Sequence, residues 1–269
     1  RAQGAESFVF SLGDVVHDLV SGEVGWQDTD LSRLDGIAVK KLGNQSNAWG
    51  RLRLHALRSL ESAGVRVFSP VDAIERAMDR YRMTMMLAQA GLPVPATLAA
   101  ESGPALATAI AVIGDGVVKP VYTSKGRGML RVGDGGGEAI GALLRDGEQQ
   151  HYLVQRFIEA PGRDIGATVV GGRFIGAFYR VARPGEWMTT TDAGGSYAPC
   201  ELNGRGIALA ERAAHAFGLD YTVVDLVERD DDFLIYEVSA FGGFRGLLEA
   251  SGVDAATAYA RHIMRSLVG

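Results

Sequence analysis

Two carboxylates set into an apolar hairpin constrain this chain most. Thr222-Val223-Val224-Asp225-Leu226-Val227 and Leu234-Ile235-Tyr236-Glu237-Val238-Ser239 flank the acidic turn Arg229-Asp230-Asp231-Asp232. β-branched runs around such a turn read as an antiparallel hairpin. A turn centred on Asp231 sets Asp225 opposite Glu237 and Val223 opposite Ser239. Directly opposed residues have Cβ atoms about 4.5–5.5 Å apart. At that distance in a half-buried sheet, one carboxyl is protonated or a cation lies between the two. An all-oxygen pair with open positions suits Mg²⁺, which binds through one or two carboxylates plus phosphates. The alternative is a register one residue off, which turns the carboxylates to different faces or toward arginines. Asp230 to Asp232 read as a solvated turn.

A second hairpin carries the opposite charge. Gly116-Val117-Val118-Lys119-Pro120 is an apolar run ending in lysine, and Met129-Leu130-Arg131-Val132 returns from it. Between them lies a tip of small residues, Thr123, Ser124, Gly126 and Gly128, with the cations Lys125 and Arg127. Lys119 ends a buried run and so needs a partner. A flexible tip with free N–H groups and cations folds naturally over a polyphosphate, or else is a solvated basic turn.

The 269 residues, 47% of them hydrophobic, allow a sizeable core and several lobes. A net charge of −5 does not indicate a nucleic-acid surface. Cys200 is the one cysteine, which excludes a disulfide framework and a thiolate metal site. His17, His55, His151, His215 and His262 have no ligand spacing. No apolar run approaches the roughly 20 residues of a membrane span, and no signal peptide is visible, so a reduced cytoplasmic compartment is expected.

In order, Ser7 to Leu12 reads as a strand, Asp14 to Val20 as a short helix and Gly22 to Leu34 as irregular. Asp35 to Lys40, Ala48 to Ala63 and Val65 to Phe68 then form a strand–helix–strand unit with a parallel sheet. Helices follow at Val71 to Met78, at Arg80 to Ala90 with a core-facing Met83, Met86 and Leu87 stripe, and at Gly103 to Ile113 and Glu138 to Leu144. Tyr152 to Ile158 is a strand. Asp164 to Val170 and Arg173 to Val181, joined by Gly171-Gly172, form another hairpin. Arg183 to Pro199 is a long polar loop, the kind that carries function. Helices at Gly206 to Phe217 and Ala255 to Val268 flank the acidic hairpin.

A cationic hairpin, a connecting strand and an acidic hairpin in this order resemble an ATP-grasp ligase of the RimK-like branch. The resemblance rests on Asp79-Arg80, Gly91-Leu92-Pro93-Val94-Pro95, Val117-Val118-Lys119-Pro120 with the Thr123 to Gly128 loop, and Leu153-Val154-Gln155-Arg156-Phe157-Ile158. It continues through Asp164-Ile165, the Gly185 to Gly195 loop, Val224-Asp225-Leu226, Glu237-Val238-Ser239 and Gly243-Phe244-Arg245-Gly246-Leu247. Asp35-Gly36-Ile37 and Leu57 to Val65 are similar to the subgroup linked to methanopterin-type C1 carriers. The resemblance implies a mixed α/β and α+β ATP-grasp fold. A small N-terminal α/β lobe, 1–74, would precede two α+β lobes, 75–158 and 159–269, with ATP bound between antiparallel sheets.

It also implies roles. Lys119 would contact the α-phosphate side of ATP, and Arg80 stands where the family has a second nucleotide-binding lysine. Ser124, Gly126 and Gly128 would cover the phosphates. Gln155, Arg156, Phe157 and Ile158 would form the adenine strand, although relatives have an acidic residue at Arg156. Asp164 would meet the ribose, and Asp225 and Glu237 would hold Mg²⁺ or Mn²⁺. Three positions depart from the family pattern. Met188 and Thr190 replace an arginine and an asparagine of the long loop, and Ser239 replaces a metal-binding asparagine. Lys125, Arg127, Arg183 and Arg245 are candidates for the missing catalytic charge, which stabilises a transferring phosphoryl group.

The implied activity is ATP-dependent joining of a small carboxylate to an amine through an acylphosphate, with glutamate as the amine and a C1-type coenzyme as the acid. No nucleic-acid or membrane partner is expected, and homo-oligomerisation is open. Met188, Thr190 and Ser239 keep a second reading in view, a protein that binds nucleotide or a partner without turnover. A kinase that stops at the phosphorylated product is the third.

Overall fold

The computed structural model describes residues 4–43, 48–121, 126–133, 137–145 and 151–268. The chain starts with a small meander, β1 (Val16–His17), β2 (Val24–Trp26) and β3 (Thr29–Asp30). No regular element forms over residues 7–12, and the helix expected from Asp14 to Val20 is instead a hairpin. The reason is local. The Asp18 carboxylate accepts from the N–H of Val20 at 2.8 Å and of Ser21 at 3.1 Å, and Gly22 turns the chain at φ +80°. An Asx turn of this kind outcompetes a marginal helix.

The expected strand–helix–strand unit is present. β4 (Gly36–Ala38) pairs in parallel with β5 (Arg66–Phe68), connected by α1 (Ala48–Ser62). Next come α2 (Val71–Met78) and α3 (Arg80–Gln89), separated by Asp79, whose side chain caps α3 on the N–H of Arg82 at 3.1 Å. Met83 and Leu87 of α3 are buried, as the stripe predicts, and the Met83 sulfur even accepts from the Val238 N–H.

An antiparallel sheet of order β6-β9-β7-β8 follows, built from β6 (Thr97–Ala100), β7 (Gly116–Pro120), β8 (Leu130–Arg131) and β9 (Tyr152–Arg156). α4 (Gly103–Ile113) and α5 (Gly137–Arg145) belong to this part of the chain. Leu106 and Ile113 of α4 and Ile140 of α5 pack with Val118 and Val154 of the sheet. The cationic hairpin is therefore β7 and β8, with Val118 opposite Leu130.

The second large sheet is also antiparallel, of order β12-β11-β10-β13-β14. Its strands are β10 (Arg163–Val170), β11 (Arg173–Val181), β12 (Ser196–Cys200), β13 (Tyr221–Arg229) and β14 (Asp232–Ser239), with α6 (Gly204–Phe217), α7 (Arg245–Ser251) and α8 (Ala255–Val268). β12 closes the end of the loop expected from Arg183 to Pro199; as an edge strand it tolerates Pro199. Along β13 the alternation is clean. Val224 and Leu226 face the core shared with Met83, Leu87 and Phe217, while Val223 packs on the other side with Phe178, Leu247 and Tyr259. That second side carries the site.

Candidate active site

The acidic hairpin pairs Asp225 with Glu237 and Val223 with Ser239. It reaches that register by a different route from the one expected. The turn is the two-residue Asp230-Asp231, with Asp230 at φ 53°, so Leu226 faces Ile235. A bulge then inserts Tyr236, and beyond it Asp225 meets Glu237. A bulge lets two successive residues serve one face, and both Tyr236 and Glu237 line the same cleft. The Tyr236 ring lies 5.2 Å from Lys119 Nζ.

The cleft, of about 1430 Å³, is walled by both large sheets and by residues 40–43 after β4. From β7, Lys119 Nζ donates to Gln155 Oε1 at 2.5 Å, and Gln155 Nε2 donates to Thr97 Oγ1 at 3.1 Å. Burial, then the nearby Arg80 guanidinium, push Lys119 down to about 8 against the pull of Glu237, Asp225 and Asp164. Arg80, 7% exposed at the start of α3, ties the two walls together. It donates to Pro120 O on the lysine side at 3.0 Å and lies 3.5 Å from Glu237 Oε2 on the acidic side.

Sequence reasoning missed the centre of the acidic wall. Arg180 Nε lies 2.7 Å from Asp164 Oδ1, and its Nη2 lies 2.9 Å from Asp225 Oδ2. Arg180 on β11 faces Asp164 on β10, and Asp225 on β13 faces Gly166, which offers no side chain in between. Burial works against the Arg180 charge, but the Asp225 and Asp164 carboxylates hold it charged, with its pKa raised above the ordinary value. Burial raises Asp225 well above the usual carboxylate range, opposed by Arg180 and reinforced by Glu237 and Asp164. The available signal was a lone arginine in the apolar run Ala177-Phe178-Tyr179-Arg180-Val181, where a half-buried cation demands an anion.

Asp164 has both oxygens engaged, one on Arg180 and the other accepting from Thr189 Oγ1 at 2.8 Å. Expected as a ribose contact, Asp164 lines the cleft and also braces Arg180 against the long loop. Met188 and Thr190 lie against the tip of the cationic hairpin: a Cβ on Gly126 would sit 3.4 Å from Thr190 Cγ2 and 3.6 Å from Met188 Sδ. Arg127 also lines the cleft, and Gly128 packs over the Pro120 ring. Arg156, Phe157 and Ile158 line its other end; there Phe157 meets Trp187 edge-on at 6.3 Å and carries the Arg131 guanidinium 3.8 Å above its ring. Arg183 Nε donates to Gly194 O at 3.3 Å. Arg245 corrects an expectation. It starts α7, is 74% exposed and pairs with Glu249 four residues on, outside the cleft lining, because the turn of α7 carries it to the surface. Ser124 and Lys125 lie outside the described residues.

Asp225, Glu237 and Ser239 form an all-oxygen set on one wall. Asp225 Oδ1 is buried with no hydrogen-bond partner among the described residues, an orphaned acceptor that a hard cation would satisfy. Among the described residues no three or more His, Cys, Asp or Glu side chains are grouped so as to hold a metal ion by themselves. A cation here would complete its shell with phosphate oxygens and water, as Mg²⁺ does.

Two antiparallel sheets clasping one cleft, cationic on one wall and acidic on the other, are the architecture of the ATP-grasp class. Residues 77–263 match the RimK-like ATP-grasp domain, and the chain belongs to that family of ligases. The fold agrees with a RimK-domain ATP-grasp protein from Sphaerobacter thermophilus at a TM-score of 0.76 and 24% identity, over 97% of this chain and 90% of that one. It also agrees with the ATP-grasp ligase PsnB, solved with a precursor variant, Mg and ADP, at a TM-score of 0.71 and 19% identity over 100% and 92% of the two chains. Among curated relatives, the tetrahydromethanopterin:alpha-L-glutamate ligase of Methanosarcina acetivorans is 39% identical over 209 residues, 74% of this chain and 64% of that protein. A probable alpha-L-glutamate ligase of Enterobacter sp. is 31% identical over 240 residues, 88% of this chain and 78% of that one. No helix among the described residues is long and apolar enough to cross a membrane.

Proposed function

We propose that this chain is an ATP-dependent carboxylate–amine ligase that attaches glutamate to a small acid, a methanopterin-type C1 coenzyme being the favoured acid. The convergence of Lys119, Arg80 and Arg180 on the opposed Asp225 and Glu237 in one cleft carries the reading. The phosphoryl group of ATP passes to the substrate carboxylate, giving ADP and an acylphosphate. The amine then attacks the acyl carbon, its proton leaves, and phosphate departs as the amide forms. Protein side chains form no covalent intermediate; they position the reactants and neutralise charge.

Lys119 and Arg80 hold the nucleotide phosphates, and the Gly126 to Gly128 turn covers them. The strand from Gln155 to Ile158 seats the adenine. Arg180, fixed by Asp164, provides charge beside the transferring group, where the neutral Met188 and Thr190 offer none. Asp225 and Glu237, with Ser239, hold Mg²⁺ or Mn²⁺, which when bound neutralises phosphate charge. Support comes from the glutamate ligase relatives and from the donor set itself.

The test is direct. Purified protein is given Mg-ATP, a panel of cofactor acids and a panel of amino acids, and ADP and amide are measured. The reading requires ADP release that depends on both acid and amine and disappears in Lys119→Ala and Glu237→Gln. Met188 and Thr190 packed against Gly126 favour one alternative, a nucleotide-binding protein without turnover. Tight ATP binding with no product from any pair would establish that alternative instead.

A further inference from the structure

The cleft is larger than one ligand needs. Sites for single small molecules enclose about 300–1,000 Å³, and this one encloses about 1430 Å³. In the ligase reading the nucleotide takes the Lys119 side, with its base toward Gln155 to Ile158. The space beyond Arg180 is then left for the group that receives the phosphoryl.

Strand register decides what surrounds Arg180. On one flank β10 sets Asp164 beside it, and Asp225 follows across Gly166. The long loop reaches the same place through Thr189, whose hydroxyl is held on Asp164. On the other flank β12 sets Tyr197 directly opposite Arg180. Two residues back along β11, Phe178 points to the same face. The two rings meet edge to face, 5.4 Å apart and at 89°. Both line the cleft, as does Val223. The charged wall therefore turns aromatic at Arg180. Phe178 is 4% exposed, and its ring lies in a slot between two glycines. A Cβ on Gly166 would run into the ring tip, and a Cβ on Gly246 would come within 2.5 Å of the ring. Tyr197 is half-buried against the cluster that holds Phe178, Val223 and Leu247.

We infer that Tyr197, backed by Phe178, is a specificity-determining residue that packs against the hydrocarbon or ring carbons next to the reacting carboxylate of the acid substrate. This rests on the ligase reading above and narrows its acid. A carboxylate held beside Arg180 is followed by carbon, and the aromatic corner lies next to it. Such a wall favours methylene and ring carbons, because burying them is favourable. It rejects a charged group at the same place, which would lose water and gain no partner. The class that fits is a carboxylic acid whose first carbons beyond the carboxyl bear no charge, with any further anionic group lying farther out.

Tyr197→Ala and Tyr197→Phe test the inference. In steady-state assays Tyr197→Ala lowers kcat/KM for the acid about tenfold, while the KM values for Mg-ATP and for the amine stay within about twofold. Tyr197→Phe keeps the ring and stays within about twofold of the wild type throughout. A second readout needs no turnover. With Mg-ADP bound, ligand-observed NMR titration compares cyclohexanecarboxylate with acetate, which share a carboxylate and differ in hydrocarbon. The first binds the wild type and Tyr197→Phe at least about tenfold tighter than the second, and the gap closes in Tyr197→Ala. An absent gap in the wild type, or an unchanged gap in Tyr197→Ala, would overturn the inference. So would a loss in Tyr197→Phe equal to that in Tyr197→Ala, or a KM effect confined to the amine. Should no acid–amine pair yield an amide, the ligase reading falls, and the titration still decides whether the aromatic corner takes hydrocarbon.

Discussion

At the scale of single residues, Arg180 decides how three carboxylates coexist on one wall. Asp164, Asp225 and Glu237 would repel each other strongly without Arg180 and Arg80 between them. Removing the partner of a buried ion pair costs about 3–5 kcal/mol, because a charge is left uncompensated. Arg180→Met is therefore expected to lower the unfolding free energy read from urea titration by about 3–5 kcal/mol, and Arg180→Lys by less; an unfolding free energy equal to the wild type in Arg180→Met would refute the assignment. Lys119 gives a pH prediction. Its folded pKa of about 8 lies below the ordinary 10.5, so a bound phosphate raises it and binding takes up a proton above pH 8. Nucleotide affinity then falls with rising pH above that value, by up to about tenfold per unit. Calorimetry at pH 8.5 in buffers of different ionisation enthalpy should detect the uptake (roughly that pH, set by the lysine's shift), and Lys119→Met should abolish it.

At the scale of elements, the acidic hairpin shows how a right register can arise from a wrong turn. A turn centred on Asp231 was read from Arg229-Asp230-Asp231-Asp232, and the pairing of Asp225 with Glu237 follows from it. The chain instead makes a tighter turn and regains the pairing through the bulge at Tyr236. Bulges depend on cross-strand packing, so no local signal announces one. The long loop is set by glycine in the same way. A Cβ on Gly195 would come within 2.2 Å of Thr189 O, the residue whose hydroxyl holds Asp164. Gly195→Ala should thus displace Thr189 and loosen the Asp164–Arg180 pair, lowering ligase kcat more than it lowers ADP affinity; equal kcat in steady-state assays would refute the coupling. Asp79→Ala removes the α3 cap next to Arg80, at a cost of about 1 kcal/mol in thermal unfolding.

At the scale of the whole molecule, the cleft draws on both large sheets and on the segment after β4. A ligand bound there stabilises every wall it touches. With Mg-ADP at about 100 times its dissociation constant, unfolding free energy should rise by about 2.7 kcal/mol, and chelation of the metal should remove much of that gain. A thermal midpoint indifferent to Mg-ADP would remove the nucleotide site from this cleft.

The class of fold and the place of Gln155 in the site came with the resemblance to RimK-like ATP-grasp ligases; the sequence by itself determined the two charged hairpins and their order, with Lys119 on one and Asp225 opposite Glu237 on the other. These are legible because apolar periodicity, turn residues and a buried charge needing a counter-charge are local or strand-to-strand properties. The Asp18 turn is a local contest that the chain settles against the expected helix, whereas only the tertiary structure decided that Arg245 would lie at the surface, outside the cleft lining. It alone placed Arg180 across a glycine onto Asp225, and Lys40 onto a segment some two hundred residues away. Those contacts join strands distant in sequence, and their geometry depends on which side chains are missing between them. A sequence pattern cannot express that; a packed sheet must.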